Sequence, residues 1–76
     1  TPTMTSVFDS LMAEAAPLDQ IQIIEESGVS KGSVSRALTR LTEEKFQGQT
    51  FVQMIDGERR TYWINDFIKS EVRADY

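Results

Sequence analysis

The residues of this 76-residue chain that could do chemistry are bases and hydroxyls, and they gather in two places. One is Ser30-Lys31-Gly32-Ser33-Val34-Ser35-Arg36, followed a turn later by Thr39 and Arg40. The other is Arg59-Arg60, just beyond Asp56-Gly57. A guanidinium offers N–H donors in a planar fork that fits a phosphate or the edge of a guanine. A serine hydroxyl can donate to either, and glycine lets a partner come close to the backbone. Other chemistry finds little support. With no histidine and no cysteine, the chain lacks the commonest general base, the commonest metal ligand and any disulfide. Gly28-Val29-Ser30-Lys31-Gly32 has neither the spacing nor the Gly-Lys-Ser/Thr ending of a phosphate-binding loop. There is no paired-carboxylate constellation and no calcium-loop spacing. An enzyme is therefore not expected, and neither a cofactor nor a metal is called for.

Charge decides where a polyanion could dock. The formal net charge is −4 and the pI about 4.6, which argues against a generic nucleic-acid binder. The distribution is uneven. Residues 1–29 hold Asp9, Glu14, Asp19, Glu25 and Glu26 and no base. Residues 30–64 hold Lys31, Arg36, Arg40, Lys45, Arg59 and Arg60 against Glu43, Glu44, Asp56 and Glu58, a balance of +2. Local field, not net charge, steers a phosphate backbone. The reading thus requires the helical and hairpin arginines to share one electropositive surface.

The elements that must position these groups follow from periodicity. Thr1 to Thr5 reads as a polar, poorly ordered lead-in, leaving 6–76 as one domain. Ser6 is a candidate cap for a first helix with Val7, Phe8, Leu11, Met12 and Ala15 on one face, ended by Pro17. Leu18 to Ser27 reads as a second helix, with Asp19 as cap, Ile21 and Ile24 buried, Leu18 and Ile23 as further candidates for the core, and Gly28 as the left-handed closing residue. Ser30 caps a third helix running to Lys45 or Phe46. On a helical wheel its core face is Val34, Ala37, Leu38 and Leu41; Gly32, Arg36, Thr39 and Glu43 face away, flanked by Ser33, Ser35 and Arg40. Thr50 to Ile55 and Glu58 to Ile64 are β-rich runs around Asp56-Gly57, which predicts a two-residue hairpin turn with positive φ at both positions. Of Tyr62 and Trp63, one should pack inward. Asn65-Asp66 can cap a short last helix, Phe67 to Arg73.

Helix, helix, short turn, helix, hairpin, helix is a mainly α arrangement with a small β-hairpin. A helix-turn-helix sets the front of its second helix in the major groove, which demands small or polar residues and bases there. The segment from Gly28 to Lys45 meets that demand, and it resembles the recognition segment of winged helix-turn-helix regulators, including the MarR-like group. Asp56 to Ile64 is similar to the wing and closing strand of the same superfamily. The resemblance covers roughly residues 18–66. It implies a three-helix core, a two-stranded wing, and DNA contacts from Ser30, Lys31, Gly32, Ser33, Ser35, Arg36, Thr39, Arg40, Arg59 and Arg60. It departs from the MarR-like group in lacking long dimerisation helices, and in carrying Asp56 and Glu58 where many wings carry bases.

The leading expectation is a sequence-specific binder of double-stranded DNA, a small cytoplasmic transcriptional regulator or repressor. One alternative is the DNA-binding domain of a plasmid or phage replication, partition or recombination protein. Another is a protein-interaction module whose acidic first helix meets a basic partner. Phe8, Leu11, Met12, Phe67 and Ile68 exceed what a short chain obviously buries, which favours a homodimer. No apolar run approaches the roughly 20 residues of a membrane span. The first residues do not read as a signal peptide. Met4 is the first methionine, which leaves open a processed chain or a fragment.

Overall fold

The structure, a computed structural model, describes residues 2–74, and side chains as far as Val72. Helix α1 spans Pro2–Met12. It begins four residues before the expected cap at Ser6, so residues 2–5 are helical and not a loose lead-in. Proline suits a first helical position, because its φ is preset and its missing N–H would have no partner there. The added turn lets Met4 pack against the core. The helix ends at Met12, short of Ala15.

Leu18 and Asp19 form a short strand, β1, and not the start of a helix. Helix α2, Gln20–Ser27, follows directly. Asp19 caps it: its Oδ1 accepts the Gln22 N–H at 2.8 Å, and the Gln22 side chain accepts the Asp19 N–H at 3.0 Å. Ile23, one of the further candidates, is fully buried, whereas Ile21, expected inside, is 62% exposed. Two residues apart on a helix point to nearly opposite sides, about 200° apart, so only one of the two can face the core. With Leu18 turned inward from β1, that one is Ile23. Gly28 closes α2 in the left-handed region, as expected.

Helix α3, Lys31–Glu43, buries Val34, Ala37, Leu38 and Leu41, the expected face. It stops before Lys45 because Lys45–Phe46 (β2) pairs with Gln49–Thr50 (β3). Gln47 and Gly48 between them have φ of 51° and 83°, the two left-handed residues of a tight hairpin turn. Asp56-Gly57, where the two β-rich runs predict that turn, has positive φ at neither residue. Strand β4, Gln53–Ile55, instead pairs antiparallel with β5, Thr61–Trp63, with Ile55 opposite Thr61. A five-residue loop, 56–60, joins them. Met54 faces Tyr62 across the ladder, and Val52 and Ile64, just beyond the paired residues, are both buried. A two-residue turn would shift the pairing by an odd number and turn Met54 and Tyr62 to opposite faces.

The sheet has three strands, not two, in the order β1-β5-β4. Its added member, β1, sets Leu18 opposite Tyr62 and Asp19 opposite Thr61. Tyr62 is buried and Trp63 half-buried, the expected alternation. Helix α4, Asp66–Ala74, is capped by Asn65, whose Oδ1 accepts the Ile68 N–H at 2.8 Å. The core joins Val7, Leu11, Ile23, Val34, Leu38, Val52, Ile64 and Ile68. Phe51 stacks edge-on to Phe8 at 6.1 Å and lies 5.9 Å from Phe46. Leu11 and Ile68 are thus spent inside one copy, and of the five residues cited for a homodimer only Phe67 is exposed. No helix among the described residues is long and apolar enough to cross a membrane.

The two isoleucines give a direct check on this packing. Ile23→Ala should cost roughly 2–5 kcal/mol of unfolding free energy, and Ile21→Ala about 0.5 kcal/mol or less. Urea melts of the two variants measure the difference.

Candidate nucleic-acid interface

Helix α3 reaches the surface with its outer half. Ser30, Lys31, Gly32, Ser35, Arg36, Thr39 and Arg40 are exposed, and Ser33 is half-buried. The helix separates them into two flanks. Ser33, Arg36 and Arg40 lie with Ala37 along a groove of about 320 Å³ whose other wall is Thr3 and Met4 of α1. Ser35 and Thr39 lie on the opposite flank. There they line a groove of about 210 Å³ with Gln20, Thr42, Met54, Arg60 and Tyr62. Arg60 of the wing loop therefore meets α3 on its serine and threonine side, not beside Arg36.

Local hydrogen bonds hold several of these groups. Ser30 occupies the cap position of α3, but its hydroxyl donates to Ser33 Oγ at 3.1 Å and caps no backbone N–H. Thr39 Oγ1 donates to the Ser35 carbonyl at 3.0 Å. Arg36 Nη2 reaches Ser33 Oγ at 3.4 Å. Gln20 Nε2 donates to the Lys31 carbonyl at 3.5 Å, linking the starts of α2 and α3.

The charges are less simple than one electropositive face. Arg40 pairs with Glu44 at 3.0 Å, Arg60 with Asp56 at 3.6 Å and Arg59 with Asp19 at 3.3 Å. Arg36 alone of these four arginines has no carboxylate partner among the described residues. The expected shared field is thus broken into paired groups around one unpaired guanidinium. Arg40–Glu44 and Arg60–Asp56 are exposed at both ends; such pairs are weak, and a phosphate can displace them. Arg59 and Arg60, in the loop before β5, line one groove with Asp19, Gln20, Ile21 and Tyr62; Arg59 pairs with Asp19 there, and Arg60 also lies in the groove beside Ser35 and Thr39.

Glycine at position 32 answers no need inside the protein. Its backbone is helical, and an added Cβ would meet only the tip of Arg36, at 4.0 Å. Glycine costs up to about 1 kcal/mol relative to alanine in a helix, less in the first turn where Gly32 sits, and the bare surface there faces outward, to whatever approaches α3.

Asp19, Gln20, Thr42 and Met54 were not among the expected site residues. Asp19 was legible as a cap, but its partner lies forty residues away, beyond any local pattern. Gln20, Thr42 and Met54 carry no charge signal and are gathered by the tertiary fold alone.

Two helices joined by the turn at 28–30, a first helix packed on both, and a small sheet whose hairpin lies beside α3 define a winged helix-turn-helix domain. Residues 5–46, more than half of the chain, match the IclR helix-turn-helix domain. The chain belongs to that family, one of the winged helix-turn-helix families that bind DNA. The finer likeness to the MarR-like group is not what this match supports. No curated protein and no solved structure matches the chain.

Two carboxyl groups give the domain a pH signature. The Gln22 N–H, with Arg59 beside it, holds the Asp19 carboxyl below its ordinary value of 3.8. A hydrogen bond shared with Glu14 raises the Glu26 carboxyl above its ordinary 4.5. A lowered acid stabilises the fold above its unfolded pKa and loses that contribution as pH falls through its folded value; a raised acid does the reverse. Stability should therefore rise slightly on mild acidification, as Glu26 takes its proton, and fall below about pH 4, as Asp19 does. Unfolding free energies measured against pH should lose the rise in Glu26→Gln and part of the fall in Asp19→Asn.

Proposed function

We propose that this domain reads a specific double-stranded DNA site as the DNA-binding part of a cytoplasmic transcriptional regulator, with the front of α3 in the major groove. The observation that carries the residue-level reading is the pairing of a bare Gly32 with Arg36, the one recognition arginine left without a carboxylate. Arg36 reads a guanine edge through its fork, and Ser33, Ser35 and Thr39 supply hydroxyls to bases or phosphate. Ser30, Lys31 and Arg40 meet backbone phosphates that set the register. Arg59 and Arg60 carry the wing to the neighbouring backbone or minor groove. We assign the domain no catalytic role.

Its Cα extents are 29 × 28 × 21 Å. One copy is thus no longer than the roughly 34 Å between half-sites one helical turn apart. We accordingly propose that two copies bind a two-fold site as a homodimer. Occupying a promoter in this way is sufficient for repression.

Selection of bound duplexes from a random pool, followed by titration at fixed salt, tests the reading. Affinity for the selected site should fall steeply with added salt. Arg36→Ala, still folded, should lose about 1–3 kcal/mol of specific binding, with relaxed preference at one base pair. An unchanged dissociation constant would refute its role. Gly32→Ala should bind more weakly while unfolding at higher denaturant, by less than about 1 kcal/mol, since it trades a close approach for helix propensity.

A further inference from the structure

One of the three arginine ion pairs is built differently from the others. Arg40–Glu44 and Arg60–Asp56 each join two exposed side chains four residues apart. Arg59–Asp19 joins residues forty apart, and its acid is mostly enclosed: the Asp19 side chain is 16% exposed against 74% for Arg59. Asp19 has little freedom. Its N–H and its Oδ1 are both engaged by Gln22, and its backbone lies opposite Thr61 in the β1-β5 ladder. Oδ2 is the atom left over, and it faces Arg59 Nη1 at 3.3 Å. Arg59 spends that single donor. Its Nη2 and Nε have no partner among the described residues.

We propose that Asp19 is a positioning residue for the wing, its fixed Oδ2 aiming Arg59 so that the remaining guanidinium donors meet a phosphate of the DNA backbone. The inference rests on the DNA-binding reading above. Five donors in a planar fork allow one arginine to hold a carboxylate on one side and a phosphate on the other. An arginine already held in place gives up less rotamer freedom when it docks than a loose one. The contact also ties loop 56–60 to the start of α2, and α2 with α3 forms the helix-turn-helix. The cap of α2 thereby sets the reach of the wing relative to the recognition helix.

Asp19→Asn tests this without dismantling the helix start, since asparagine is as good a cap as aspartate. It removes the charge and turns an N–H group toward the guanidinium. Affinity for the selected duplex is measured for the native chain, Asp19→Asn, Arg59→Ala and the double variant. Backbone ¹⁵N relaxation of residues 56–60 is recorded in the free proteins. Asp19→Asn should bind about two- to fivefold more weakly, the range of a modest ion pair. It should bind no more weakly still in the Arg59→Ala background, and loop 56–60 should become more mobile. A rise in affinity would overturn the proposal by making Asp19 a rival of the phosphate. An undiminished loss in the Arg59→Ala background would overturn it by making Asp19 a purely structural residue. Unchanged affinity would overturn it too. If the native chain binds no selected duplex, the DNA reading falls and the phosphate contact with it. The relaxation data then decide separately whether Asp19 holds the wing.

Discussion

The apolar stripe of α3 is the constraint on which the rest of the molecule turns. Val34, Ala37, Leu38 and Leu41 must be buried, and in so small a domain only α1, α2 and the sheet can bury them. Once that face is committed, the opposite face has no choice but to meet solvent or a partner. The residues there are Gly32, Ser35, Arg36, Thr39, Arg40 and Glu43, none of which gains from burial at the core. Recognition residues are thus placed by what lies behind them. The rigid packing of Val34 and Leu38 fixes the azimuth of Arg36 more firmly than any contact that Arg36 makes itself.

An acidic protein can present such a face because charge acts locally. Residues 1–29 carry Asp9 on α1, Glu14 in the link after it, and Glu25 and Glu26 on α2, with no base, while Arg36 and Arg40 of α3 and Arg59 and Arg60 of the wing loop come later in the chain. Even there, three arginines keep a carboxylate close by, which lowers the repulsion among them in the free protein. The exposed counter-charges Glu44 and Asp56 temper non-specific attraction to any polyanion. They leave more of the discrimination to groups that must fit, such as a guanidinium fork against a base edge.

Much of this was legible in the sequence. The α3 face, its serine cap position, the left-handed Gly28, the Asp19 cap and the alternation of Tyr62 and Trp63 all follow from local rules of period and turn chemistry. What was not legible depends on partners distant in the chain. A two-residue strand such as β1 has no period to read, and it exists because β5 is there to pair with it. Choosing Ile23 over Ile21 likewise needed the direction of Leu18. The hairpin misled for another reason: Asp-Gly is a strong local signal for a tight turn, but it lost to the register that sets Met54 opposite Tyr62 and buries the flanking Val52 and Ile64. Gln47-Gly48, a weaker signal, made the tight turn instead, since nothing buried opposed it.

The wing loop takes its place from the strand it joins. Tyr62 is buried at the centre of β5, opposite Leu18 of β1 and Met54 of β4. Arg59 and Arg60 precede that strand and line one groove with Tyr62, Asp19, Gln20 and Ile21. Arg59 pairs there with Asp19, while Arg60 also lies in the groove that holds Ser35 and Thr39 of α3. Two adjacent arginines that look equivalent in the sequence thus have partly different neighbours around one buried tyrosine. A change at position 62 that loosened its burial would disturb both at once. The geometry of the wing is only as definite as the packing of the strand that carries it.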